Sequence, residues 1–385
     1  MSRPERTLGL YLHVPFCRAK CAYCDFYSLS HSEEKMDLYV AALIRHLEKT
    51  APAAADYIVD TVYIGGGTPS YLGPERILRL LQTVKKNYRL DKNAEITMEA
   101  NPDSACDAAA LQAVRSGGVN RISLGMQSSD DRQLHSIGRI HTWRQTQQAA
   151  EAVRRAGIQD LSLDLIYGLP DESAGQWEKT LRDAVSLCPQ HISCYALKLE
   201  EGTPLWRRRS ELNLPDDDQQ ADRYLFTVDC LREAGYEQYE ISNFARPGRE
   251  SRHNLKYWHL DEYAGFGPGA HSDFGGVRYA YARDLDSYLR GELILSESEV
   301  ISPSERAREY LMLGLRTTEG ISRGVFESRF HRRSSILEPL FRLYEQHGLA
   351  ECTEEGWRLT PAGFFVSNEI IIELDDALTG NHCRR

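Results

Sequence analysis

Cys17, Cys21 and Cys24 stand within eight positions of one another in "FCRAKCAYCDF", a C-x3-C-x2-C pattern. Thiolates are strong metal ligands, so the pattern points first to a metal. Two kinds of centre suit it. Zinc fits if a fourth ligand comes from elsewhere in the chain. A [4Fe–4S] cube fits at three of its corners, where a closed cluster takes four cysteines. No fourth cysteine lies close, and the upstream His13 alternates with strand residues and can simply face a neighbour. A cube one ligand short keeps an iron free to grip a reactant, to which the cluster can donate an electron. The aromatic side chains of Tyr23 and Phe26 would screen such a cluster from water, which tunes its potential.

"IGGGTPS" (64–70) is the second chemical signal. Three glycines after a strand let the backbone approach a small polar ligand, and its N–H and C=O groups can bind an amine or a carboxylate. Glycine-rich turns are common, and this one lacks the G-x-x-x-x-G-K-[ST] order of a phosphate-binding loop.

Both loops need elements to hold them. Apolar, β-branched runs predict strands at 8–14, 60–66, 94–100, 121–127, 161–168 and 191–197. Helical periodicity falls between them, at 33–49, 74–88, 107–117, 142–156 and 174–187, with a further helix at 218–234. A βα rhythm of this kind predicts an α/β fold, a partial (β/α)6 TIM-like barrel with a parallel sheet covered by helices. Such a barrel builds its site from the loops at the strands' C-terminal ends. Cys17, Gly65, Glu99, Gln127 and Asp164 all sit at those ends. The predicted barrel domain is 1–235. A Tyr-, Gly- and His-rich connecting region follows at 236–299, and a small helical, winged-helix-like domain at 300–385, with a frayed tail in "GNHCRR".

Composition narrows the function. Of 385 residues 42% are apolar and 26% charged, as in an ordinary globular protein. The net charge of −10 is spread along the chain, and Arg207-Arg208-Arg209 is the longest basic run. Neither supports nucleic-acid binding, which runs on basic patches, so the winged-helix pattern is read as a packing or lid module. No apolar stretch approaches the roughly 20 residues needed to cross a bilayer, and no export signal is evident in "MSRPERTLGL". Nine cysteines then suggest reduced thiols in a cytoplasm. The six outside the loop are read as packing or tolerated surface.

With these residues in place, the chain resembles the radical S-adenosylmethionine (SAM) superfamily, and within it the coproporphyrinogen III oxidase-like branch. "YLHVPFCRAKCAYCDF", "YIGGGTPS", "RISLGMQS", "LDLIYGLP" and "RHNLKYW" carry the resemblance, which spans about 8–375. It implies that Cys17, Cys21 and Cys24 hold the cluster. It also implies SAM contacts from Tyr11 and Tyr23 beside the cluster, and from Gly66, Gly67 and Thr68 at the amino group. Glu99, Gln127, Arg139 and Asp164 would lie around the carboxylate and ribose, with the Ala196 backbone at the adenine. An arginine fork suits a carboxylate; ion pairs and caps at strand ends are the plainer alternative for the charged residues.

The branch holds two activities: oxygen-independent coproporphyrinogen III oxidation in haem biosynthesis, and haem delivery by a chaperone. The oxidase resembles C-x3-C-x2-C-x-C, where this chain has Phe26, and carries an extension before its first strand, which here begins near residue 8. "HNLKYW" (253–258) matches the chaperone's H-N-x-x-Y-W signature, whose histidine is implicated in haem binding. The expectation is a haem chaperone that binds haem, with His253 as ligand, beside the cluster and SAM. Its partners would be acceptor haem proteins, respiratory enzymes at the membrane among them, with no nucleic acid, and a homodimer as one assembly to test. Histidines among aromatic residues more often hydrogen-bond within a core, and that alternative stays open for His253. Whether SAM is cleaved productively is left open as well.

Overall fold

A computed structural model describes residues 6–379. The expected tail at 380–385, with Cys383, lies outside the described residues.

Six strands follow one another in the order of the chain: β1 (Arg6–Val14), β2 (Tyr57–Gly66), β3 (Leu90–Ala100), β4 (Arg121–Gln127), β5 (Asp160–Tyr167) and β6 (His191–Ala196). All are parallel, with Val14 opposite Gly66, Ile64 opposite Met98, Ala100 opposite Leu124 and Tyr167 opposite Ala196. The crossovers are helical: α1 (Met36–Thr50), α2 (Pro74–Asn87), α3 (Ala108–Ser116), α4 (Asp131–Ser136), α5 (Trp143–Arg155) and α6 (Ala174–Ser186). Local chemistry starts several of them. Asp107 accepts from Ala109 and Ala110 N–H, and Thr142 with Gln145 and Ser173 with Gln176 form reciprocal capping boxes.

Successive residues of a strand point to opposite faces. One face of β1 is Leu8, Leu10, Leu12 and Val14, all fully buried, and Ile122, Leu124 and Met126 continue the same pattern in β4. The other face is polar. Hydrogen bonds or ion pairs join Tyr63 to Glu99, Glu95 to Arg121, Ser123 and Ser193 to Asp164, and Ser162 to His191. The concave side of the predicted partial barrel is therefore lined with paired polar groups rather than packed with aliphatic layers. Strand Tyr263–Phe266 adds to the free side of β1, again parallel, and three antiparallel strands, His271–Phe274, Val277–Tyr281 and Leu295–Glu299, extend the sheet.

The described chain divides into two compact units. One runs to Gln220 and takes in Glu262–Glu299; the other comprises Ala221–Asp261 and continues from Val300. The region expected as one connector at 236–299 is thus shared between them. "HNLKYW" belongs to the second unit and is helical, within Arg252–His259, rather than a loop. Ser251 caps that helix by accepting from Asn254 N–H, and Leu260 ends it in the left-handed region at φ 57°. Residues 263–274 of the expected connector form the strands Tyr263–Phe266 and His271–Phe274 named above.

The second unit continues with helices Pro303–Gly314, Arg323–Phe330 and Glu338–Gln346, followed by the antiparallel strands Ala350–Cys352 and Gly356–Leu359. Ile321–Ser322 pairs on the other side of Gly356–Leu359, and helices Pro361–Phe365 and Ser367–Thr379 close the chain. This is the winged-helix-like arrangement expected, built around Trp357 stacked on Phe341 with ring centroids 4.7 Å apart.

Candidate functional site

The cysteine loop leaves β1 and is pinned at both ends. Cys17 N–H donates to the Leu29 carbonyl at 2.9 Å and Leu29 N–H to the Pro15 carbonyl at 2.8 Å. In between, Ala22 N–H donates to the Ile137 carbonyl at 2.9 Å, and the Ala22 carbonyl accepts from Leu205 N–H at 2.9 Å. Cys17, Cys21 and Cys24 are free, half-buried thiols. Two of them receive hydrogen bonds at sulfur: Thr68 Oγ1 donates to Cys17 at 3.3 Å and Arg139 Nη1 to Cys21 at 3.4 Å. Donors of this kind favour thiolates. Burial works the other way, raising the Cys17 thiol and pushing Cys24 up to about 11. A bound metal reverses that cost by taking up the thiolate charge. Among the described residues no three His, Cys, Asp or Glu side chains converge as ligands of a single ion. A cube asks each thiol for a separate iron. The donor chemistry fits an iron–sulfur cluster held at three corners. Tyr23 packs against Ile137, Ile166 and Leu169. Phe26 is 66% exposed, which removes it from the shielding role expected of it.

The glycine turn is tied to this loop. Gly67 N–H donates to the Val14 carbonyl at 2.8 Å, Thr68 N–H to the Phe16 carbonyl at 2.7 Å, and Gly66 N–H to Glu99 Oε2 at 2.8 Å. All three amides are engaged within the protein, so the turn's remaining polar groups are carbonyls, which suit an ammonium. Gly66 has φ +106°, and a Cβ there would lie 2.4 Å from His13 Nδ1. The His13 ring itself is buried between the Tyr11 hydroxyl at 3.0 Å and the Tyr27 carbonyl at 2.8 Å.

Glu99 is held on both oxygens. Tyr63 Oη donates to Oε1 at 2.8 Å, opposite the Gly66 amide on Oε2. Burial pushes its carboxyl up to about 7, against these hydrogen bonds. Asp164 is raised by burial too, while accepting from Ser193 Oγ at 2.8 Å and from Ser123 Oγ at 2.9 and 3.1 Å. Gln127 ends β4 at φ +62°, where the pairing with β5 slips by one residue. Arg139 reaches back from beyond α4. Its Nη2 donates to Asn101 Oδ1 at 2.8 Å and the Gly125 carbonyl at 2.7 Å, and its Nε to His141 Nδ1 at 3.3 Å. Ala196 is exposed at the end of β6.

A small cleft opens beside the cysteine loop, lined by Arg18, Cys21, Thr68, Asn101, Arg139 and His141 among others. Asn101 was not among the predicted residues. It links two that were, since its Nδ2 donates to Thr68 Oγ1 at 3.0 Å while its Oδ1 accepts from Arg139. Its position just past β3, before Pro102, was the available signal.

His253 lies in the second unit. It is 1% exposed, its Nε2 is 2.9 Å from the Tyr257 hydroxyl one helical turn on, and burial pulls its pKa down to about 3. In this conformation it is a hydrogen-bonded core histidine, the plainer of the two alternatives.

Comparison with known proteins gives this geometry its family. The model described as "Radical SAM superfamily" matches residues 11–184, and "HemN C-terminal domain" matches 301–366. The chain is 36% identical to "Heme chaperone HemW" of Escherichia coli over 94% of this chain and 97% of that one. It is 33% identical to its namesake in Bacillus subtilis, with the same coverage. Among solved structures, the coproporphyrinogen III oxidase HemN from E. coli superposes with a TM-score of 0.83 over 97% of this chain and 91% of that one. At 23% identity, that likeness speaks to the fold. The chain belongs to the radical SAM superfamily, in the HemN-like branch that includes the HemW proteins. Membership in that superfamily carries with it a [4Fe–4S] cluster and SAM.

Proposed function

We propose that this protein is a haem chaperone: it binds haem and passes it to acceptor haem proteins. The observation that carries the proposal is identity of 33–38% to HemW proteins of several bacteria over most of both chains. Phe26 in place of a fourth nearby cysteine supports it over the decarboxylating alternative.

In this reading Cys17, Cys21 and Cys24 hold the cluster, which when bound supplies an open iron and an electron source beside the cleft. The carbonyls of the 66–68 turn take the SAM ammonium. Arg139, already set against Cys21, takes the carboxylate, and Glu99, Gln127 and Asp164 line the remaining polar contacts. Tyr11 and Tyr23 flank the cluster and the Ala196 backbone meets the adenine. His253 is the haem ligand once its bond to Tyr257 is exchanged for iron. Delivery to respiratory enzymes at the membrane is peripheral, from the cytoplasm, in this proposal; no described helix is long and apolar enough to cross a membrane. A homodimer belongs to the proposal as well.

The test is a haem titration into iron- and sulfide-reconstituted wild type and His253→Ala, followed at the Soret band. In parallel, SAM, reductant and coproporphyrinogen are supplied and the products analysed. Saturable haem binding without decarboxylated product is expected. Decarboxylated product in the second assay would turn the reading to the oxidase.

A further inference from the structure

Asn101 sits just past β3, and its backbone is fixed on both sides. Its N–H donates to Ser70 Oγ at 3.4 Å, and its carbonyl accepts from Ser104 N–H at 3.0 Å and from Ser104 Oγ at 3.2 Å. Pro102 follows, which disfavours the helical region for the residue before it. From this set position the side chain meets two partners, Thr68 and Arg139, and each of them donates to a different cysteine sulfur.

The hydrogens along this path can run only one way. A guanidinium has no acceptor, so the Asn101 atom 2.8 Å from Arg139 Nη2 is the carbonyl oxygen Oδ1. The other end of the amide is then its NH2 group, which faces Thr68 Oγ1 at 3.0 Å. Thr68 Oγ1 accepts there, and its own hydrogen is left for another partner. Cys17 Sγ lies 3.3 Å away in that role, and a sulfur bound to iron only accepts. On the other arm, the hold on Nη2 leaves Nη1 facing Cys21 Sγ at 3.4 Å. One amide therefore aims hydrogens at two of the three loop cysteines through its neighbours.

We infer that Asn101 is a positioning residue that raises the reduction potential of the cluster by directing these hydrogens at its ligands. Reduction adds negative charge, part of which falls on the ligand sulfurs, and a hydrogen bond to such a sulfur favours the reduced form. An aspartate of the same shape reverses the Thr68 arm. Both of its oxygens accept, so Thr68 Oγ1 turns its hydrogen to the carboxylate and away from Cys17. The inference rests on the iron–sulfur part of the proposed function and not on haem.

The test uses the full chain, reconstituted anaerobically without SAM and assayed for iron and sulfide. A redox titration then follows the reduced cluster by electron paramagnetic resonance. Wild type is compared with Thr68→Val, Asn101→Asp and the double variant. Valine keeps the shape of threonine without its hydroxyl. Thr68→Val is expected to lower the reduced-to-oxidised ratio at a fixed potential about tenfold, the worth of one hydrogen bond. Asn101→Asp is expected to lower it further, because its charge adds to the lost bond. In the Thr68→Val background only the charge persists, so the effect of the aspartate is expected to be about tenfold smaller there. An aspartate effect that is equal in both backgrounds, or a potential that Thr68→Val leaves unchanged, would overturn the inference. If Asn101→Asp does not hold its cluster, Asn101→Ala takes its place in the same cycle, since it too stops directing the Thr68 hydrogen, and the same two outcomes decide. A wild type that binds neither iron nor sulfide would instead bring down the site reading on which the inference rests.

Discussion

Arg139 sets its guanidinium 3.4 Å from the Cys21 sulfur, so a residue 118 positions along the chain borders the cysteine loop directly. The same fork grips Asn101 and the Gly125 carbonyl through Nη2. A lysine brings the charge but not the planar fork, and cannot serve three partners in these directions. Arg139→Lys is therefore expected to retain iron and sulfide but to bind SAM roughly tenfold to a hundredfold more weakly, the worth of one or two lost charge-assisted hydrogen bonds. Equilibrium dialysis against SAM checks it, and unchanged affinity removes Arg139 from the ligand site.

Gly66 is fixed by what lies beneath it. A methyl group there meets His13 Nδ1 at 2.4 Å, and φ +106° disfavours any side chain. Gly66→Ala is expected to cost about 2–4 kcal/mol in urea unfolding, from overpacking and backbone strain together. Adding His13→Ala removes the overlap but not the strain. The double variant should therefore recover part of the loss, and a strictly additive cycle would show that the two residues do not press on each other.

The order of elements was legible because the strands carry β-branched runs and the helices carry periodicity, so β1 to β6 and the crossovers α1, α2, α3, α5 and α6 fall within a few residues of expectation, while the six-residue α4 was not expected. The cysteine spacing and the glycine turn were legible because both are local. The polar lining of the barrel was not, since Ser123, Ser193 and Tyr63 look unremarkable until the register sets them against Asp164 and Glu99. Asn101 escaped for the same reason, because its partners come from the turn after β2 and from beyond α4. The helix that carries His253 was hidden by the glycines and aromatics that follow it. Its only local start signal is Ser251, and its end at Leu260 is a left-handed residue that is not glycine.

Glu99 makes stability depend on pH in an identifiable direction. Its carboxyl is raised by burial from 4.5 to about 7 in the folded protein, so between those values the folded state binds more protons than the unfolded one. Stability from this group is fully present below about pH 4.5 and is lost as pH rises through 7. Glu99→Gln cannot titrate. The difference in unfolding free energy, wild type minus variant, should fall by up to a few kcal/mol from pH 5 to pH 8. Paired urea titrations at each pH measure it, and a flat difference would mean that Glu99 titrates as an ordinary carboxylate.

Tyr257 decides whether His253 can be a ligand. Its hydroxyl lies 2.9 Å from Nε2, so a haem iron that takes this nitrogen must displace it. Tyr257→Phe removes that competitor at a cost of about 0.5–1.5 kcal/mol in stability, the usual worth of one hydrogen bond. If His253 ligates haem, the variant should bind haem more tightly than wild type, and His253→Ala should lose the Soret shift. Burial holds the His253 ring neutral down to about pH 3. Before iron binds, protons should therefore not compete for Nε2 anywhere between pH 8 and pH 5. An exposed histidine would instead lose affinity as pH fell through about 6.5. Haem affinity that is flat over this range and raised by Tyr257→Phe assigns the ligand. Affinity that falls with acid and ignores both substitutions moves haem to another residue.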